Sequence, residues 1–179
     1  MKIKKEQTAA VVIDIQERLL PAMNEKEKVL QNTVKFLKGV RLLDVPVYLT
    51  QQYTKGLGNT VSEIREAAGT DAYLNKLRFS AYEELRKVLK APSEQKFILI
   101  CGMESHICVL QTAIDLKEHG YQPVFVTDCI TSRKPEDMDI ALRRAEQEGI
   151  LLTSTESILF ELTEAAGTEV FKAVQQLIK

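Results

Sequence analysis

Three side chains in this sequence can do nucleophilic or acid–base chemistry and fall just beyond apolar runs: Asp14, Lys76 and Cys108. Asp14 closes the run at 9–13, Lys76 closes a weaker one at 72–76, and Cys108 lies shortly after Gly102, which ends the run at 96–101. A thiol, a carboxylate and an amine are groups from which covalent catalysis is built. Each also has a structural reading. A cysteine in an apolar helix serves as a small core residue. An aspartate ending a buried strand satisfies nearby backbone N–H groups, and a lysine in a charged chain is solvated surface. What sets the three apart is that all are expected at one edge of a sheet.

The sheet follows from the way the chain alternates. The run at 9–13 is continuous and rich in β-branched residues, as a strand buried on both faces requires. Val29, Val34, Leu37, Val40, Leu42 and Leu43 recur at near-helical spacing over 25–43, and Pro46 separates that helix from a strand at 47–50. Residues 53–59, with Gly56 and Gly58, read as a loop, followed by a short helix at 60–68 and the weaker strand at 72–76. Beyond the strand at 96–101, Ile107, Leu110, Ile114 and Leu116 mark a helix over 105–119 that stops at Gly120. A strand at 123–127, an amphipathic helix at 136–148, a strand at 150–153 and helical segments from about 156 complete the chain. This order predicts an α/β fold, a three-layer α/β/α domain over 1–179. Its core is a Rossmann-like open parallel sheet of about six strands with helices on both faces.

Such sheets bind ligands beyond the carboxyl ends of their strands. Gln51, Gln52, residues 102–108 and Asp128 therefore join Asp14 and Lys76 as candidates. The phosphate-binding patterns GxGxxG and GxxxxGK[ST] are missing, as is the GxSxG elbow of serine hydrolases. The net charge is −1, which leaves no electrostatic footprint for nucleic acid or a membrane surface. No apolar run approaches the roughly 20 residues of a membrane span, and the run after MKIKKEQT is too short for a signal peptide. Cys101, Cys108 and Cys129 are odd in number and lack CxxC spacing, which fits a reducing, cytoplasmic compartment. Only His106 and His119 are present, so a histidine-rich metal site is not expected.

Three segments carry a resemblance: VVIDIQ at 11–16, KLRFSAY at 76–82 and GMESHICV at 102–109. They fit, in order, the D-x-Q, K-x-x-x-S-A-[FY] and G-x-x-[ST]-x-x-C-V patterns of the isochorismatase-like cysteine hydrolases, a superfamily that includes nicotinamidases and N-carbamoylsarcosine amidase. The resemblance spans nearly the whole chain, and LTQQY at 49–53 with GLG at 56–58 looks most like the small isochorismatase-domain-containing proteins. It implies that Cys108 is a nucleophile in the first turn of its helix, where the dipole favours thiolate. Asp14 would take the thiol proton and later assist water, while Lys76 would keep the carboxylate ionised. The N–H groups of Glu104 and Cys108 would form an oxyanion hole, with a cis peptide between Met103 and Glu104. The substrate implied is a small amide, carbamoyl or related carbonyl compound, cleaved through a thioester.

The departures narrow the activity. Metal-dependent nicotinamidases have an Asp-x-His motif after the second strand; here that position reads Gln51-Gln52-Tyr53, so no metal and no cofactor are expected. Isochorismatases themselves lack the cysteine, so Cys108 argues against their reaction. A non-catalytic interaction protein on the same fold is the alternative, and a ribonuclease, a label carried by some relatives, lacks a basic groove here. Gln51, Tyr53 and Phe79 are candidates to line the substrate pocket, with Tyr82 beside them and core packing as a second role for Phe79. Glu104 either enters the pocket or points to solvent or a partner. Asp128 is expected to organise the turn after the fifth strand, Ser132 to cap the next helix, and Cys101 and Cys129 to be buried structural thiols. The family commonly forms homo-oligomers, dimers or larger, and Leu159, Phe160, Leu162 and Phe171 could supply such a surface.

Overall fold

The six apolar runs are the six strands. The structure, a computed structural model, describes residues 1–179. The strands are β1 (Thr8–Ile13), β2 (Val47–Gln52), β3 (Tyr73–Lys76), β4 (Phe97–Met103), β5 (Gln122–Thr131) and β6 (Leu151–Thr153). All pair in parallel, in the order β3-β2-β1-β4-β5-β6. Strand order therefore reverses between β1 and β4, and the crevice at their carboxyl ends is where such a sheet takes a ligand. Asp14 follows one of these two strands and Cys108 the other.

Alternation along the central strands explains why both faces need cover. Ala10 and Val12 of β1, with Leu99 and Cys101 of β4, enter one core; Ala9 and Val11, with Ile98 and Ile100, enter the other. The first core is closed by α1 (Lys26–Leu42), α3 (Ser62–Ala68), α7 (Thr155–Thr163) and α8 (Glu169–Ile178). The second is closed by α4 (Tyr82–Leu85), α5 (Leu110–Glu118) and α6 (Pro135–Gln147). A further short helix, α2 (Thr54–Leu57), occupies part of the stretch read above as a loop.

Two differences from the sequence reading bear on the site. β5 does not end at residue 127: its register against β4 shifts between Ile100 and Gly102, and it resumes opposite Gly102 at Ile130 and opposite Met103 at Thr131. Asp128 thus lies within the strand's irregularity, and its Oδ1 accepts from the N–H (2.8 Å) and hydroxyl (3.1 Å) of Thr155 at the start of α7. The second difference is at Cys108, which sits in a π-helical turn (Ser105–Val109) that leads into α5. Wide turns of this kind concentrate at functional sites.

Gly102 is required where it stands. It pairs with Ile13, and a Cβ built on it would lie 2.0 Å from the Ile13 carbonyl oxygen, with φ at 121°. Only glycine allows this approach of β4 to β1 immediately before Asp14.

Candidate active site

Asp14 leaves β1 in the left-handed region, with φ of 51°. Aspartate tolerates that conformation better than most residues. Its carboxylate is fully buried and held at both oxygens: Thr50 Oγ1 donates to Oδ1 at 2.6 Å, and Lys76 Nζ stands 2.7 Å from Oδ2. Lys76 reaches from β3 past β2, where its ammonium also donates to Gln52 Oε1 at 2.6 Å and to the Phe79 carbonyl at 2.8 Å. The ammonium thus pairs with the Asp14 carboxylate while donating to Gln52 and to the Phe79 and Arg78 carbonyls. A lone buried charge is costly, and this close ion pair, with Thr50 and Gln52 bonded to its two ends, is the arrangement that tolerates it.

Gln16 secures the middle of this array. Its side chain accepts from the Gln52 N–H at 2.7 Å and donates to the Gln52 carbonyl at 3.0 Å and the Gly58 carbonyl at 2.6 Å. Gln52 in turn donates from Nε2 to the Leu77 carbonyl at 2.8 Å. The third residue of the D-x-Q pattern is therefore a clamp on β2.

Cys108 arrives from the other side of the crevice. The Met103–Glu104 peptide is cis, and the Val109 N–H donates to the Glu104 carbonyl at 3.2 Å across the wide turn. Thr112 Oγ1 donates to the Cys108 carbonyl at 2.6 Å and accepts from the Ala81 N–H at 2.9 Å. One hydroxyl thus ties the cysteine's turn to the segment that follows Lys76. The Cys108 thiol lies beside Asp14 and Lys76, within reach of both. Burial pushes the thiol up from its ordinary 9.0, the Asp14 charge adds to this, Lys76 opposes it, and the result is about 12. Desolvation thus outweighs the neighbouring cation and favours the neutral thiol, against the pull toward thiolate expected of the helix start.

Residues 8–157 match the isochorismatase domain. The chain belongs to the isochorismatase family. It is similar to isochorismatase domain-containing protein 2A of Mus musculus, with 36% identity over 178 residues that cover 99% of this chain and 85% of that protein. The MAR1 ribonuclease of Caenorhabditis elegans superposes with a TM-score of 0.89 at 29% identity, covering 99% of this chain and 92% of its own. The YcaC gene product of Escherichia coli, described as an octameric hydrolase of unknown specificity, shares the fold: TM-score 0.90, 22% identity, coverage of 99% and 90%. The isochorismatase superfamily is typically one of hydrolases.

Within this isochorismatase-family chain the structure brings Asp14, Lys76 and Cys108 together, and it redistributes the other candidates. Gln51 is buried, and alternation along β2 puts its side chain on the sheet face opposite Gln52; the glutamine at the site is Gln52. Tyr53, with φ of 36°, is exposed and walls a cleft of about 940 Å³ shared with Lys55, Lys76, Leu77 and Arg78. Cys108 is not among the walls of that cleft. Phe79 is 56% exposed and does not pack in the core; its carbonyl, not its ring, serves the site. Tyr82 stacks on His119 at 4.0 Å between ring centroids.

Glu104 does not point into the crevice: its carboxylate accepts from the N–H and Nε–H of Arg133 at 3.1 and 3.0 Å. Ser132 is not a cap, since its hydroxyl lies 2.9 Å from His106 Nδ1 and Lys134 precedes α6. Leu159 and Leu162 are buried in their own chain and offer no outer surface. Cys101 and Cys129 are buried free thiols. Thr50 and Thr112 went unnoticed in sequence because a threonine in a strand or helix carries no signal until its partner is known.

Proposed function

We propose that this chain is a metal-independent cysteine hydrolase acting on a small amide, carbamoyl or related carbonyl compound. The observation that carries the reading is the Cys108 thiol beside a buried, hydrogen-bonded Asp14–Lys76 pair at the strand-order reversal. Because the thiol is neutral at rest, its proton passes to Asp14 as the sulfur attacks the substrate carbonyl carbon. The Glu104 N–H makes no hydrogen bond within the chain, which supports it, with the Cys108 N–H, as donor to the oxyanion. Collapse breaks the C–N bond, and the leaving amine takes the proton from Asp14. Water then attacks the thioester, giving one proton to Asp14; the acid departs, and that proton returns to sulfur. The reading is metal-independent because residues 51–53 are two glutamines and a tyrosine, not the carboxylate and imidazole of an Asp-x-His motif.

A screen of small amides and carbamoyl compounds against wild type and Cys108→Ala tests this. The expected result is turnover that vanishes in the variant, with a thioester mass on the peptide carrying Cys108. Iodoacetamide labelling confined to Cys101 or Cys129 would overturn the nucleophile assignment. One observation favours a second reading, an interaction protein on a retained fold: Cys108 is only 6% exposed. Absence of any thioester across the screen would select that reading. The ribonuclease activity in the name of the Caenorhabditis elegans neighbour is not our reading here. His106 is engaged by Ser132 and His119 by Tyr82, leaving no histidine pair to act on RNA.

The exposed Tyr53, Leu77 and Phe79 rim one edge, and together with the octameric neighbour they support a homo-oligomer. Sedimentation equilibrium at micromolar concentration checks this, and a monomer would refute it. The three free thiols support the cytoplasm as the compartment.

A further inference from the structure

Glu104 combines an N–H that makes no hydrogen bond within the chain with a buried carboxylate whose only partner is Arg133. Arg133 is itself 59% exposed, so its guanidinium reaches inward from the surface to meet that carboxylate. The neighbouring residues repeat the grip. Ser132 Oγ lies 2.9 Å from His106 Nδ1, and Thr131 Oγ1 donates to the Asn24 carbonyl at 2.8 Å. The Asn24 N–H donates to the Ser132 carbonyl at 3.1 Å. Two successive residues just past β5, Ser132 and Arg133, therefore hold His106 and Glu104, while Thr131 and Ser132 are anchored to Asn24 in the segment that follows β1.

We propose that Arg133 is a positioning residue: by clasping Glu104 it holds the Glu104 N–H where an oxyanion forms on a Cys108 adduct. The inference rests on the reading of Cys108 as nucleophile. A carboxylate sealed from water is tolerated only while paired and hydrogen-bonded. Without the guanidinium the carboxylate keeps only the N–H of residue 133 and loses its countercharge, so it shifts toward solvent and the N–H on the same Cα moves with it. Donors must stand within hydrogen-bond distance of the oxyanion, and a displacement of about 1 Å is worth up to about a hundredfold.

Acetaldehyde and iodoacetamide together separate this role from a merely structural one. Acetaldehyde adds reversibly to the thiol: a sulfur–carbon bond forms, the carbonyl π pair moves to oxygen, and the thiol proton passes through Asp14 to that oxygen. The resulting thiohemiacetal oxygen needs the Glu104 donor. Iodoacetamide alkylates the same sulfur with loss of iodide and the thiol proton, and no oxyanion develops. The measurement is the iodoacetamide labelling rate of Cys108 by peptide mass mapping, with and without acetaldehyde, in wild type, Arg133→Ala and Arg133→Lys.

Without acetaldehyde, Arg133→Ala is expected to label within about twofold of wild type. The acetaldehyde concentration giving half protection should rise about tenfold or more, with Arg133→Lys in between because it keeps the charge but not the fixed Nε–H donor. Half protection of Arg133→Ala at the wild-type concentration overturns the inference alone. So does equal loss of labelling and protection in both variants, which signals a collapsed turn. Wild-type Cys108 that is not labelled, or not protected, overturns the nucleophile reading and this inference with it.

Discussion

Lys76 Nζ lies 2.7 Å from Asp14 Oδ2 with both side chains closed off from solvent. The two residues come from strands on either side of β2, and it is β2 that supplies Thr50 and Gln52 to complete their hydrogen bonding. Such a pair couples folding to chemistry, because neither charge is tolerable in that place without the other.

Asp14→Asn and Lys76→Met should each lose about 3–5 kcal/mol in urea unfolding, since each leaves one buried charge without its partner. The double variant should recover part of that loss while remaining inactive. A single variant as stable as wild type would contradict the pairing.

The Cys108 thiol, pushed up to about 12, predicts slow iodoacetamide labelling at pH 7 compared with a free cysteine, and a rate that climbs from pH 9 upward. Asp14→Asn should lower the midpoint of that climb, since the carboxylate is one cause of the upward shift. A midpoint unchanged from wild type would show that burial alone sets it.

Stability should follow the same thiols. Cys101, Cys108 and Cys129 are all shifted up from 9.0, first by burial, so the unfolded chain surrenders its thiol protons before the folded one does. The stabilisation these neutral thiols provide is complete below about pH 9 and declines as pH rises above it. The urea midpoint should fall over that alkaline window, and fall less in Cys129→Ala; parallel declines would refute the linkage.

Gly102→Ala places a methyl group 2.0 Å from the Ile13 carbonyl oxygen at a φ that disfavours any side chain. Backbone cannot yield as a side-chain tip does, so the loss should be at least about 1–3 kcal/mol. Thermal unfolding measures it, and a Tm equal to that of wild type would count against the approach of β4 to β1.

Gln16→Ala removes the acceptor for the buried Gln52 N–H and should cost about 1–3 kcal/mol. It should also lower turnover, because Gln52 positions Lys76. Loss of stability with turnover per folded molecule intact would separate the clamp from the chemistry.

The sequence by itself determined the architecture. Continuous apolar runs of strand length, alternating with helical periods, sufficed for a parallel sheet covered on both faces, and three short patterns located Asp14, Lys76 and Cys108 at its edge. These are local or near-local properties, readable wherever periodicity and spacing carry them. Tertiary structure decided the rest. Which glutamine meets Lys76 depends on the pleat and register of β2 against β3, so Gln52 rather than Gln51 was settled only by pairing. The length of β5, and with it the place of Asp128, depends on a register shift against β4 that no run of residues announces. The partnership of Glu104 with Arg133 joins residues distant in sequence, and the proton on Cys108 depends on burial and on charges delivered by two other strands. Desolvation and long-range pairing are properties of the packed chain, and they decide here how the sulfur is held and what state it rests in.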